Sequence, residues 1–206
     1  MKNSLHISDE DGIQLVKIAR KAVSEYLKNN KKIQDLEFNS KFNYDSGVFV
    51  TINKSDSLRG CIGFPLPSKK LCEGLVDAAI SAATQDPRFS SVRIDELNQI
   101  VFEVTVLTPP VKISVENPME YLSMIKIGRD GLIVENEYSS GLLLPQVPVE
   151  YGWSISEFLC HTCEKAGLDM YAWKDKNTII SRFEGIIFKE ETPNGNVMRK
   201  SCDDFL

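Results

Sequence analysis

Residues Ile100 to Leu107 form a strong β-type run that stops at Pro109-Pro110, and no other segment constrains the fold as strongly. β-branched and aromatic side chains suit a pleated surface, and proline ends pairing because it has no backbone N–H to donate. The flanking segments supply pairing partners. Val48 to Ile52 reads as a strand, Asn53 to Asp56 as a turn, and Leu58 to Phe64 as an alternating strand, so the three predict a hairpin. Ile125 to Glu135 reads as a second hairpin around Arg129-Asp130-Gly131. Gly141 to Leu144 is a short strand, Ile179 to Phe188 a last one, and the polar tail from Glu190 reads as loose chain.

Helices separate these groups. Ser8 precedes an acidic first turn and an apolar stripe through Val16, Ala19, Val23 and Leu27. A second helix carries Leu71, Leu75, Ala78, Ala79, Ala82 and Ala83 and stops before Asp86-Pro87. Ser154 to Glu157 is a capping-box pattern opening a third, with Gly167 as its C-terminal cap. Hairpins with helices between them predict an α+β fold, an antiparallel-rich sheet with flanking helices and a smaller second α/β lobe. The whole chain is expected to be one domain, with the smaller lobe inserted at about residues 60–110 and the larger built from the N- and C-terminal parts.

At 206 residues, the chain is long enough to bury a core without a disulfide or metal staple. The net charge of −5 weighs against nucleic acid as a partner, since such binders carry a basic excess. No apolar stretch reaches the ~20 residues of a membrane span, and the N-terminus lacks the apolar core of a signal peptide, so the expected location is the cytoplasm. Five cysteines at unpatterned spacings read as free thiols there. No phosphate-cradling loop or dinucleotide fingerprint appears, and no cofactor or metal is expected.

The densest candidate chemistry is Arg59-Gly60-Cys61-Ile62-Gly63. Two glycines around a cysteine allow close approach of backbone or ligand. Arg59 and Cys61, two apart, share one side of an extended chain. A neighbouring guanidinium lowers a thiol pKa, and it also holds carboxylates or phosphates in bidentate fashion. The alternative is a glycine bulge with a packed cysteine and a surface-paired arginine. Glu103 interrupts the apolar run and needs either a partner, protonation or an edge position facing water. Asp86-Pro87-Arg88-Phe89 either presents Arg88 at a turn or is a rigid helix stop. Leu144 to Glu150 reads as an extended segment stiffened by two prolines, with Gln146 and Glu150 lining a cleft, docking a partner strand or crossing over to the next helix. Cys160-His161-Thr162-Cys163 holds only half a metal site and falls in the second turn of a helix, so it reads as a packing cysteine beside a half-exposed histidine. His161 is a general-base candidate if its face borders the Cys61 loop. His6, the other histidine, lies in a terminal segment.

Leu58-Arg59-Gly60-Cys61-Ile62-Gly63, Asp86-Pro87-Arg88-Phe89, Leu107-Thr108-Pro109, Leu144-Pro145-Gln146-Val147 and Lys165-Ala166-Gly167-Leu168 together closely resemble the AMMECR domain family, in order, from about residue 10 to 188. The resemblance implies an α+β fold with a larger and a smaller lobe. It also implies a pathway association with Memo-like and radical S-adenosylmethionine proteins, and a functional site at the Arg-Gly-Cys loop, here Arg59 and Cys61.

Two function classes follow. In the first, the chain is an enzyme or enzyme component acting on a small molecule in a cleft at the Arg59-Gly60-Cys61 loop. Cys61 is then the nucleophile or thiol ligand, Arg59 holds an anionic group, Glu103 or His161 moves protons, and Gly60, Gly63, Arg88, Gln146 and Glu150 line the ligand. In the second, it is a non-enzymatic adaptor that docks a protein through residues 144–150.

Overall fold

The computed structural model describes residues 7–33 and 40–200, so His6 and Cys202 lie outside it. Backbone contacts divide the chain into two compact units: Met1–Leu107 with Ile186–Lys200, and Thr108–Gly185 with Ser201–Leu206. Helices flank antiparallel strands in an α+β arrangement.

The first unit opens with helix α1 (Asp9–Asn29). Ser8 caps it reciprocally: its hydroxyl accepts the Asp11 N–H at 3.2 Å, and the Asp11 carboxylate accepts the Ser8 N–H at 3.1 Å. These bonds satisfy donors that a helix N-terminus otherwise leaves unpaired. The hairpin of β1 (Val48–Lys54) and β2 (Ser57–Phe64) follows, with Ser55 and Asp56 both at positive φ in its tight turn. Then come helix α2 (Leu71–Thr84) and strand β3 (Ile100–Leu107). Strand β7 (Ile179–Glu190) gives its residues from Ile186 onward to this unit, and β8 (Val197–Lys200) pairs with that end. The sheet order is β2-β1-β3-β7.

One face of this sheet is covered by α1 and α2. Val48, Val50, Ile52, Ile100, Phe102, Val104 and Val106 meet Leu15, Val16, Ala19, Leu71, Leu75 and Ala79 in one core. Burying each large aliphatic side chain is worth about 1.5–3 kcal/mol. The alanines of α2 let it come very close. A Cβ placed on Gly60 would lie 2.1 Å from the Ala82 carbonyl oxygen, so no larger residue fits there. Gly60 is therefore a packing glycine on the helix side of β2, away from the Cys61 side chain.

The second unit has β4 (Val111–Lys112), β5 (Asp130–Glu135), β6 (Ser140–Leu143) and the first part of β7, in the order β7-β5-β6 with β4 on β7. Its core gathers Leu132, Val134, Phe158, Leu159, Cys163, Trp173 and Ile180. Here lie helix α3 (Gln146–Glu150) and helix α4 (Ile155–Lys165), the latter capped by Ser154 and Glu157 as expected. Gly167 follows it at φ +73°.

Four expectations are corrected. Residues 60–110 do not form the smaller lobe, because β2, α2 and β3 share the α1 core; the inserted unit is Thr108–Gly185. Asp130-Gly131 begins β5 and is not its turn. The Phe183 ring lies over Gly131, where a Cβ would come within 2.3 Å, and the turn is instead closed by Asn136, whose side-chain oxygen accepts the Tyr138 and Ser139 N–H groups at 2.9 Å. Residues 146–150 are helical, not extended: Pro148 is the third residue of α3, in a first turn where a missing N–H costs nothing. The tail from Glu190 is not wholly loose, since β8 pairs Val197 with Glu190 and Lys200 with Ile187. Among the described residues no helix is long and apolar enough to cross a membrane.

Candidate functional site

The face of the first sheet opposite α1 and α2 carries the polar residues. Thr51 on β1 is paired in register with Cys61 on β2 and with Glu103 on β3. Directly opposed residues of antiparallel strands share a face, so the three side chains form one row. On β7, Lys189 brings its Nζ to 4.0 Å from Glu103 Oε2. Lys200, paired across β8 with Ile187, adds a second ammonium on this side. With strands spaced about 4.8 Å apart, the backbones of Cys61 and Glu103 stand roughly 10 Å apart on either side of Thr51.

Cys61 is half-buried, and the Thr51 hydroxyl donates to its sulfur at 3.1 Å. Its peptide is held from the edge of the sheet. The Asp86 carboxylate accepts the Cys61 N–H at 2.8 Å, and Arg88 Nη2 reaches the Cys61 carbonyl at 3.4 Å. Asp86 also takes the Arg88 N–H at 3.1 Å, its Nε at 3.0 Å and its Nη2 at 2.7 Å. An edge strand exposes unpaired backbone groups, and this clamp satisfies them at Cys61. The Arg88 guanidinium and these N–H groups hold the Asp86 carboxyl far below its ordinary range, although the side chain is buried.

The thiol titrates upward, not downward. Burial pushes the Cys61 pKa up, Glu103 and Asp86 reinforce that, and the Thr51 hydrogen bond and the Arg88 charge offset only part of it. The expected activator, Arg59, is elsewhere. The pairing shifts between Ile52 and Asn53, with Ile52 opposite Gly60 and Asn53 opposite Leu58, so Arg59 is the extra residue of a bulge. Its guanidinium grips Glu96 at 3.1 and 3.2 Å and the Ser90 carbonyl at 2.7 Å. Lys54 adds a bond to Glu96 at 3.2 Å, and together these hold the Glu96 carboxyl at about 2. Arg59 thus ties the segment after α2 to the hairpin.

Glu103 is 13% exposed at its side chain and makes no hydrogen bond to any described residue. Burial pushes its pKa up, and Lys189 and Lys200 pull only partly against that. A largely buried carboxyl is costly even with an ammonium 4.0 Å away, so its retention is the most site-like observation in this unit. Gly63 lies on the same face, covered by the Phe49 ring, which a Cβ there would meet at 2.4 Å.

The structure therefore brings together Cys61, Glu103 and, through the backbone, Arg88. It turns Gly60 toward α2 and Arg59 toward Glu96. Gln146 and Glu150 lie on α3 in the second unit, and His161 lies on α4 of the same unit. His161 stacks on Trp153 with centroids 4.0 Å apart and pairs with Glu164 at 2.7 Å. Cys160 and Cys163 are buried, the latter raised by burial to about 11, and among the described residues no cluster of His, Cys, Asp and Glu has the makings of a metal site. Sequence alone assigns no role to Thr51, Asp86 or Lys189. Thr51 was detectable only as the polar member of an alternating strand, and Lys189 only through a strand register that sequence does not carry.

The AMMECR1 family model matches residues 16–188. A protein of Methanothermobacter thermautotrophicus is 50% identical over 188 residues, covering 90% of this chain and 97% of that one. One from Pyrococcus abyssi is 50% identical over 201 residues, covering 95% and 98%. The crystal structure of the uncharacterized protein PH0010 from Pyrococcus horikoshii superimposes with a TM-score of 0.84 at 48% identity, covering 94% of this chain and 98% of that chain. With a family match across most of its length and relatives at half identity, the chain belongs to the AMMECR1 family.

Proposed function

We propose that this protein is an enzyme, or a component of one, that takes a small molecule onto the sheet face defined by Cys61, Thr51 and Glu103. The observation that carries the reading is the row on the sheet: Glu103, a largely buried carboxyl paired with Lys189 at 4.0 Å, stands in register with a half-buried thiol one strand beyond Thr51. A fold rarely keeps such a group for stability, because an apolar residue there would cost less. A site that must exchange a proton does need it.

The thiol is neutral as it stands, so Cys61 acts only once its proton has a destination. Thr51 already contacts the sulfur, and a ligand atom or water between Thr51 and Glu103 would complete a path from Sγ to the carboxylate. Loss of that proton frees the sulfur lone pair to bond an electrophilic carbon of the ligand, and the protonated Glu103 then returns the proton to the departing group. Arg88 and Asp86 fix the Cys61 peptide and need not touch the ligand.

A thermal-shift screen of small metabolites against the wild type, Cys61→Ala and Glu103→Gln tests this. The reading expects compounds that stabilise the wild type and lose that effect in both variants. If every stabilising compound acts equally on all three proteins, the sheet face is not the site.

A further inference from the structure

A cavity of about 270 Å³ opens beside α1 in the first unit, on the side of the sheet away from the Cys61 side chain. Drug-sized pockets begin at about 300 Å³, so this one suits a smaller molecule. Arg20, Ser24 and Lys28 follow one another at four-residue steps along one face of α1 and form one wall. Ile94 and Leu97, which begin and cap the one-turn helix Ile94–Glu96, form another. Asn98 and Asn194 complete the lining.

The polar groups here are donors without partners. Arg20 is only 12% exposed and is locked in place. Its Nε donates to the Glu190 carboxylate at 2.7 Å with Nη2 beside it, Nη2 also reaches the Ile100 carbonyl at 2.6 Å, and Nη1 reaches the Leu97 carbonyl at 2.8 Å. A guanidinium has five N–H groups, so one on Nη1 is left with no partner among the described residues. The Ser24 hydroxyl and the Lys28 ammonium likewise have no hydrogen bond or ion pair to a described residue. No carboxylate lines the cavity. The acids on the neighbouring segments are engaged elsewhere, Glu190 by Arg20, Asp95 by Arg93 and Glu96 by Arg59. With Arg20 balanced by Glu190, Lys28 is the one uncompensated charge in the lining.

We infer that this cavity binds a small monocarboxylate with a compact apolar body. The carboxylate accepts from the Lys28 ammonium and the Ser24 hydroxyl, one helical turn apart, and the body covers Ile94 and Leu97. One net positive charge matches a monoanion. A dianion such as phosphate leaves a charge unmatched, and a cation faces Lys28 directly. Ile94 is a large apolar side chain left 51% exposed, so covering it favours a hydrocarbon or aromatic body over a purely polar one. The site lies apart from the Cys61 row and does not depend on the reading of that row.

Backbone-amide NMR on the full chain tests this with three probes: benzoate, benzamide and inorganic phosphate. Each is titrated into wild type, Lys28→Gln, Ile94→Ser and Cys61→Ala. Lys28 and Ile94 are exposed, so their variants should keep the fold, and the amide spectrum itself shows whether they do. Benzoate should shift the Ser24, Lys28, Leu97 and Asn98 amides saturably. Its Kd should rise about threefold or more in Lys28→Gln and in Ile94→Ser, and stay unchanged in Cys61→Ala. Benzamide and phosphate should bind at least about threefold more weakly. Benzamide binding as well as benzoate removes the charge argument, and phosphate binding as well as benzoate removes the apolar body, so either overturns the assignment. Absence of saturable shifts at these amides, or a Kd that ignores Lys28→Gln or Ile94→Ser, overturns it as well.

Discussion

Replacing Asp86 with alanine should be among the most damaging single changes in the first unit. Its carboxylate is 2% exposed at the side chain and serves four donors: the Cys61 N–H, the Arg88 N–H and two guanidinium nitrogens. The Cys61 and Arg88 N–H groups lose a charged acceptor, at about 1–3 kcal/mol for a buried group left unpaired. The guanidinium loses its partner too, but Arg88 is 55% exposed and rehydrates, so that part is discounted for solvent screening. The sum is about 3 kcal/mol, or roughly 6–12 °C in Tm for a chain of this size. Arg88→Ala should cost only about 1 kcal/mol, since Asp86 keeps two N–H donors. The sign with pH follows from the lowered carboxyl. Its contribution is complete above the unfolded value of about 3.9 and is lost as pH falls below it. Urea unfolding at pH 7 and pH 3 measures both effects. An Asp86→Ala penalty below about 1 kcal/mol at pH 7, or an equal penalty for Arg88→Ala, refutes the clamp.

Two other sites give independent tests. Gly60→Ala should destabilise by about 3 kcal/mol or unfold the protein, because the added Cβ meets backbone, the Ala82 carbonyl oxygen at 2.1 Å, and neither strand nor helix can yield cheaply; a urea midpoint within error of wild type would contradict the close approach. Glu96→Gln should cost about 1–3 kcal/mol at neutral pH, and its difference from wild type should vanish between about pH 4 and pH 2, because the Glu96 carboxyl is held at about 2 by Arg59 and Lys54 and its stabilisation is lost as pH falls toward that value.

Local physics was well written in the sequence. Ser8 and Ser154 announced their helices because a capping box is a property of four neighbouring residues, and Gly167 marked a left-handed C-terminus. The β1–β2 hairpin and β3 followed from alternation and proline stops. What did not follow was anything set by distant partners. A carboxylate at Asp130 and a glycine at 131 look like a turn until the Phe183 ring is seen filling the space above Gly131. Proline at 148 looks like an extended-chain residue until it falls in a helix's first turn. Arg59 and Cys61, two apart, were expected on one side, but a bulge hands Arg59 to Glu96, thirty-seven residues on. Cys61 and Glu103 were each singled out from sequence, whereas the Thr51 that joins them and the Lys189 beside Glu103 depend on strand order.

If Cys61 and Glu103 belong to one electrostatic site, the charge of one should move the titration of the other. The rate of Cys61 alkylation against pH, read by mass spectrometry on the folded protein, tests it most directly. The wild-type midpoint should lie above the ordinary thiol value of 9.0, because burial raises it. Glu103→Gln should shift that midpoint down by about 0.3–1 pH unit, the effect of removing a negative charge roughly 10 Å away. Arg88→Ala should shift it up, and Arg59→Ala should leave it nearly unmoved. A midpoint below 8, or one that follows Arg59 and ignores Glu103, would contradict a shared Cys61–Glu103 site.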